Sequence, residues 1–194
     1  FFDINHDGFL DLIVGGHEHE GLGNEQYSYK NTTCVFWGNG VDFKGKYSRM
    51  PRFKDGYGIT LDYIFYDLNN DGQEEIINVR TGDGYTVPVY CGWAIQIVEF
   101  DGTSFEDVTS KYLNNQDNST VDGAAVCWID MEEIDGKKFL CGRINTNAKK
   151  LFELRDGKFI LPEYEEEEKD EEKLVAHHGI CIYSDQFISA QNIT

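Results

Sequence analysis

The stretch "DINHDGFLDLIVGG", Asp3–Gly16, decides how the chain is read. Acid or amide side chains stand at alternate positions, Asp3, Asn5 and Asp7. A glycine follows at Gly8, another acid at Asp11, and then an apolar run. Side chains at positions 1, 3 and 5 of a tight loop converge on one point, and a glycine at position 6 permits the sharp turn. With the carbonyl of Phe9 at position 7 and the carboxylate of Asp11 at position 9, the loop offers five oxygen donors, three of them carboxylates. That donor set suits a hard divalent ion with a flexible shell, Ca2+ before Mg2+. An EF-hand needs a bidentate Glu at position 12 between flanking helices. Here position 12 is Val14, inside a β-branched run.

The pattern returns in "YDLNNDGQEEIINV", Tyr66–Val79. Asp67, Asn69, Asp71, the Gln73 carbonyl and Glu75 take the places of Asp3, Asn5, Asp7, Phe9 and Asp11, and position 12 is Asn78. A single such loop reads equally well as a solvated Asx-rich turn. Two in one register point to two Ca2+ sites. A third copy, "WIDMEEIDGKKFLCG" at Trp128–Gly142, keeps Asp130 but shifts its Asp-Gly pair to Asp135-Gly136 and has Phe139 where the last acid belongs. No ion is expected there.

A second periodic mark supports the same frame. Turn residues at Gly38-Asn39-Gly40, Asp101-Gly102 and Asp156-Gly157 divide apolar or alternating runs and predict tight hairpins. "GITLDYIF", "EEIINV", "CGWAIQIVEF", "GAAVCWI" and "AKKLFELR" are rich in β-branched and aromatic residues and read as strands. No segment shows sustained helical periodicity. The unit is about 60 residues with four short strands, the size of one β-propeller blade, which needs neighbours to bury its faces. The fold class expected is therefore all-β, as about three four-stranded antiparallel blades. The repeats are placed at 1–50 (its first strand truncated), 51–114 and 115–162 (degenerate), with 163–194 an acidic loop and a terminal strand or partial blade.

At DxNxDGxxDLIVG the chain resembles the FG-GAP/VCBS repeat family, known from integrin-α-type propellers and many secreted bacterial proteins. The resemblance covers residues 1–162, with "IVGG" at Ile13–Gly16 nearest to the FG-GAP words and "INVR" in the second copy. It implies that the acidic loop joins two strands of a blade and holds Ca2+. It also implies an extracellular setting, secreted or at the cell surface, with a structural, adhesive or ligand-binding role toward a protein or glycan. Such propellers also occur in polysaccharide-acting enzymes such as lyases, which leaves a carbohydrate-binding or catalytic propeller as the alternative. Three blades do not close a ring that typically needs at least about four. The expected partners include further blades of the same chain or a second copy.

Composition narrows the classes. The 194 residues carry a net charge of −18, which argues against nucleic acid or an anionic membrane surface as a partner and favours cations. No apolar run reaches the length of a membrane span. The chain begins without Met, so it is expected to be a mature fragment, and a missing signal sequence has no weight. Cys34, Cys91, Cys127, Cys141 and Cys181 lie far apart with no CxxC, and are read as small buried hydrophobes. Asn31, Asn118 and Asn192 head glycosylation sequons of the kind an Asn-rich chain holds by chance. Phe1-Phe2, Phe65-Tyr66 and Trp128-Ile129, just before the loops, are expected to pack between blades. Trp37, Trp93, Tyr85 and Tyr90 could form a sugar-stacking surface but are read first as packing. His17-Glu18-His19 and His177-His178 lack a third ligand in sequence, and the run Glu163–Glu172 reads as a solvated charge segment. No catalytic constellation is legible, since no GxSxG stands at a strand-to-helix turn.

Overall fold

Two hairpins follow directly from their turn residues. Strands β11 (Asn147–Arg155) and β12 (Lys158–Ile160) are joined at Asp156-Gly157, whose φ values are 52° and 70°. Strands β9 (Trp128–Ile134) and β10 (Lys137–Ile144) are joined at Asp135-Gly136, with φ of 53° and 74°. Positive φ at both central residues is the twist-matched two-residue turn that Asp-Gly favours. The third copy has thus exchanged the long acidic loop for a tight turn. Asp130 lies within β9, opposite Cys141 of β10.

A computed structural model describes residues 1–15, 33–43, 47–53, 56–82, 84, 86–88, 90–114, 118–144 and 147–162. They are all-β, in three antiparallel sheets within one unit that ends at Pro162. Sheet 1 holds β1 (Leu12–Val14), β2 (Cys34–Phe36) and β3 (Tyr47–Arg49) in sequence order. Sheet 2 runs β4 (Ile59–Tyr66), β5 (Glu75–Thr81), β6 (Cys91–Phe100) and β7 (Phe105–Asp107). Sheet 3 is β9-β10-β11-β12.

Strand β8 (Ser119–Ala124), within the stretch 115–162, pairs with β6 and belongs to sheet 2. The fourth column of that sheet is interrupted. β7 covers the C-terminal part of β6, β8 covers the N-terminal part, and the short helix α1 (Thr109–Tyr112) lies between them in sequence. In the gap, side chains accept bonds from β6: Thr109 Oγ1 takes the Ile97 N–H at 2.9 Å and Asn118 Oδ1 takes the Ile95 N–H at 3.2 Å. These bonds satisfy buried main-chain donors, and the Ile95 N–H is shared with the Asn118 main-chain carbonyl at 3.4 Å. Asn118 is buried to 4% exposure, so this sequon asparagine is part of the sheet.

The connection after β2 differs from the tight hairpin expected of it. Gly38-Asn39-Gly40 does not close a tight hairpin, since β3 begins only at Tyr47. Asn39 Oδ1 accepts the N–H groups of Val41 and Asp42, and a Cβ on Gly38 would lie 2.0 Å from the Leu10 carbonyl oxygen. Gly38 is therefore required by a close backbone approach and not by a two-residue turn.

Sheet 2 is the middle layer. Because side chains alternate along a strand, neighbouring residues of β5 face opposite ways. Ile76, with Val98 of β6, packs against Ile4, Ile13, Val35 and Met50 of the first repeat. Ile77, Val79, Ile95 and Ile97 pack against Ile129, Leu140, Leu151 and Phe152 of sheet 3. Every residue of β5 is buried, as expected of a strand covered on both faces. Ahead of the first two loops, Phe2 stacks on Phe65 with centroids 3.9 Å apart, and Tyr66 packs against the core shared with sheet 3. Ile129 is buried in the corresponding place, whereas Phe1 and Trp128 are exposed.

Asp62 ties sheet 2 to sheet 3, its Oδ2 accepting the Ile129 N–H at 3.0 Å. Burial pushes the Asp62 carboxyl above its ordinary value; the N–H groups of Ile129 and Tyr63 pull it down, and Asp130 adds to the rise. A carboxyl raised by folding favours the folded state while protonated, and that contribution is lost as pH rises through the shifted pKa. Asp62→Asn retains the acceptor oxygen and removes the charge. Its melting temperature is expected to exceed that of the native protein near pH 7 and to match it at about pH 3, where the native carboxyl is also neutral.

Candidate functional site

The two acidic loops share one hydrogen-bonded frame. In the first, between the Phe2 bridge to Asp11 and β1, the Asp7 N–H donates to Asp3 Oδ1 at 3.0 Å and Asn5 Oδ1 at 3.1 Å. The Gly8 N–H donates to Asp3 Oδ2 at 2.9 Å and the Phe9 N–H to Asp7 Oδ1 at 2.9 Å. In the second, between β4 and β5, the Asp71 N–H donates to Asp67 Oδ1 at 3.2 Å and Asn69 Oδ1 at 2.8 Å. The Gly72 N–H donates to Asp67 Oδ2 at 3.0 Å and the Gln73 N–H to Asp71 Oδ1 at 2.8 Å. The backbone repeats as well. His6 and Asn70 have φ of 55° and 60°, and Gly8 and Gly72 have 89° and 87°. No atom lies within 4 Å of a Cβ built on either glycine, so it is the dihedral, not space, that calls for glycine there.

Burial follows the same order. Asp7 and Asp71 are exposed, as are Phe9 and Gln73, and the closing acids Asp11 and Glu75 are buried. Asp11 Oδ2 accepts the Ile4 N–H at 3.0 Å and its Oδ1 the Gly38 N–H at 2.8 Å. Glu75 Oε2 accepts the Leu68 N–H at 2.8 Å; its Oε1 accepts from Asn69 Nδ2 at 3.1 Å and from the Tyr112 hydroxyl. The outer donors Gly38 and Tyr112 were not legible in sequence, because they lie 27 and 37 residues from the acids they hold.

Charge accumulates at the first loop. Burial pushes the Asp11 carboxyl above its ordinary value; the Gly38 and Ile4 N–H groups pull it down, and the Asp7 and Asp3 carboxylates push it up further. The loops also meet each other, His6 Nε2 lying 3.2 Å from Glu74 Oε2.

The donors suit a hard cation. In each loop they are oxygens only, and an ionised carboxylate has lone-pair capacity beyond the N–H bonds it accepts. Asp3, Asn5, Asp7, the Phe9 carbonyl and Asp11 are brought into one loop, and Asp67, Asn69, Asp71, the Gln73 carbonyl and Glu75 into the other. Among the described residues, no three His, Cys, Asp or Glu side chains are gathered as a ready metal cluster. The closing acids turn both oxygens toward hydrogen-bond donors.

Trp37 and Trp93 are spent on packing. Trp37 stacks on Phe105 at 5.9 Å and lies 5.0 Å from Phe100, and Trp93 meets Phe152 edge-on. A buried polar row was also unforeseen. Arg80 Nε donates to Gln96 Oε1 at 2.8 Å, and Gln96 Nε2 donates to Asp107 Oδ2 at 3.0 Å. Burial pushes the Arg80 guanidinium down to about 10 against the opposing pull of Asp107. Cys141 is buried, and Cys34, Cys91 and Cys127 are half-buried. His17-Glu18-His19, His177-His178, Tyr85, Asn31, Asn192, Cys181 and the acidic run at Glu163–Glu172 lie outside the described residues.

Comparison with protein-family models gives no match, and neither the curated proteins nor the solved structures compared contain one.

Proposed function

We propose that the chain is a calcium-binding module of propeller-type repeats, with a structural, adhesive or ligand-binding role outside the cell. The observation that carries this reading is the pair of loops, which repeat the same side-chain-to-backbone bonds and dihedrals and bury the closing acid in both. A solvated turn has no need to keep three carboxylates in one loop at the expense of mutual repulsion, as at Asp3, Asp7 and Asp11. A bound Ca2+ would neutralise that charge and draw the two ends of the loop together. Asp3, Asn5, Asp7, the Phe9 carbonyl and Asp11 would hold one ion; Asp67, Asn69, Asp71, the Gln73 carbonyl and Glu75 would hold the other. Extracellular modules work with calcium sites of about 10⁻⁴–10⁻³ M, an affinity that short, partly exposed loops can supply.

The blade reading draws on the stacking of three meandering sheets with the middle one covered on both faces. In that reading the outward face of sheet 1, where Val14 and Tyr47 are exposed, is covered by a further sheet of the same kind, from the same chain or a second copy.

Calorimetry with mass measurement under native conditions tests the ion assignment. The native protein is expected to take up two Ca2+. Asp7→Ala and Asp71→Ala should each lose one, and Asp130→Ala should lose none, since Asp130 lies in a strand. A native protein that takes up no calcium would overturn the reading.

A further inference from the structure

The two loops differ in how their closing acid is held from outside. Asp11 receives a main-chain N–H, that of Gly38. Glu75 receives the side-chain hydroxyl of Tyr112, which also accepts a bond from Asn69 Nδ2 at 3.4 Å. One phenol therefore touches two of the side chains assigned to the second ion. Its own position is fixed. Tyr112 is 3% exposed within the core shared by sheets 2 and 3, and Lys111 Nζ lies 5.1 Å from its ring centroid. The helix carrying it is anchored to β6 through Thr109 and is followed by Leu113, which bridges to Phe159 of β12.

We infer that Tyr112 is a positioning residue that sets the cation affinity of the second loop independently of the first. This rests on the calcium reading above. The orientation of a ligating carboxylate is governed by its remaining hydrogen bonds, and losing such a partner typically costs about 10–100-fold in metal affinity. Removing the hydroxyl leaves Glu75 Oε1 with the Asn69 amide alone and deprives that amide of one acceptor. The corresponding donor of the first loop is a backbone N–H, which no substitution other than proline removes.

Tyr112→Phe keeps the buried ring and deletes only the hydroxyl. It is to be titrated with Ca2+ in two backgrounds, Asp7→Ala to isolate the second loop and Asp71→Ala to isolate the first. The expected result is a Kd raised by about tenfold or more at the second loop and unchanged at the first. Near-ultraviolet absorbance supplies a readout that a purely structural role would not move. In the Asp7→Ala background calcium should perturb a tyrosine band, and Tyr112→Phe should abolish that component. Equal weakening of both loops, an unchanged second loop, or a tyrosine signal that survives Tyr112→Phe would overturn the inference while leaving calcium binding intact. Absence of calcium uptake by the native protein would overturn the underlying reading and this inference with it.

Discussion

Replacing Ile76 or Ile77 by alanine is expected to cost about 2–5 kcal/mol each, lowering the melting temperature by roughly 10 °C. The two residues are neighbours in β5, are 1% and 0% exposed, and point to opposite faces of sheet 2. Ile77 sits among Val79, Ile95, Ile97, Leu140 and Phe152. Ile76 sits among Ile4, Ile13, Val35 and Val98. Neither site can collapse easily, because each is closed by a second sheet whose side chains are themselves fully packed. A sheet with one solvated face would show a large loss at only one of the pair. Val14, 44% exposed on the outward face of sheet 1, is the control, and Val14→Ala should stay within about 0.5 kcal/mol. Chemical denaturation of the three variants decides the matter. A loss below about 1 kcal/mol at either isoleucine would mean that the corresponding neighbouring sheet does not cover it.

The strands of sheets 2 and 3 were legible because their signals are local. "GITLDYIF", "CGWAIQIVEF" and "AKKLFELR" are β-branched and aromatic runs bounded by turn residues, and β4, β6 and β11 occupy them. The Asp101-Gly102 and Asp156-Gly157 turns fall where expected for the same reason. "GAAVCWI" misled, since β8 ends at Ala124 and β9 begins at Trp128. Nothing local marks that break. It comes from β8 pairing back onto β6, whereas β9 pairs forward onto β10. Gly38 misled because a glycine needed for close approach looks the same as one needed for a turn. In the candidate site, the alternation of Asp3, Asn5 and Asp7 was visible, and so was its copy. The burial of Asp11 and Glu75, and their capture by Gly38 and Tyr112, depend on contacts between distant segments and leave no periodic trace.

Withdrawing calcium with a chelator should lower the melting temperature markedly. A ligand that binds only the folded state stabilises it by about 2.7 kcal/mol per site when present at 100 times its Kd. Two equivalent sites would therefore give an effect comparable to losing a core side chain. The increments should separate by loop. Asp7→Ala and Asp71→Ala should each keep part of the response, the double variant should lose all of it, and Asp130→Ala should respond like the native protein. Generic charge screening is the competing explanation, because a chain with a net charge of −18 gains from any added cation. Monovalent salt separates the two. At about 0.15 M the screening length is already ~8 Å, so further potassium chloride weakens the repulsion between exposed acids without supplying an ion that the loops can cage. If potassium chloride alone restored the melting temperature after chelation, the acidic loops would be ordinary solvated turns. If only calcium restored it, and only while Asp7 or Asp71 remained, the stabilisation would reside in the loops themselves.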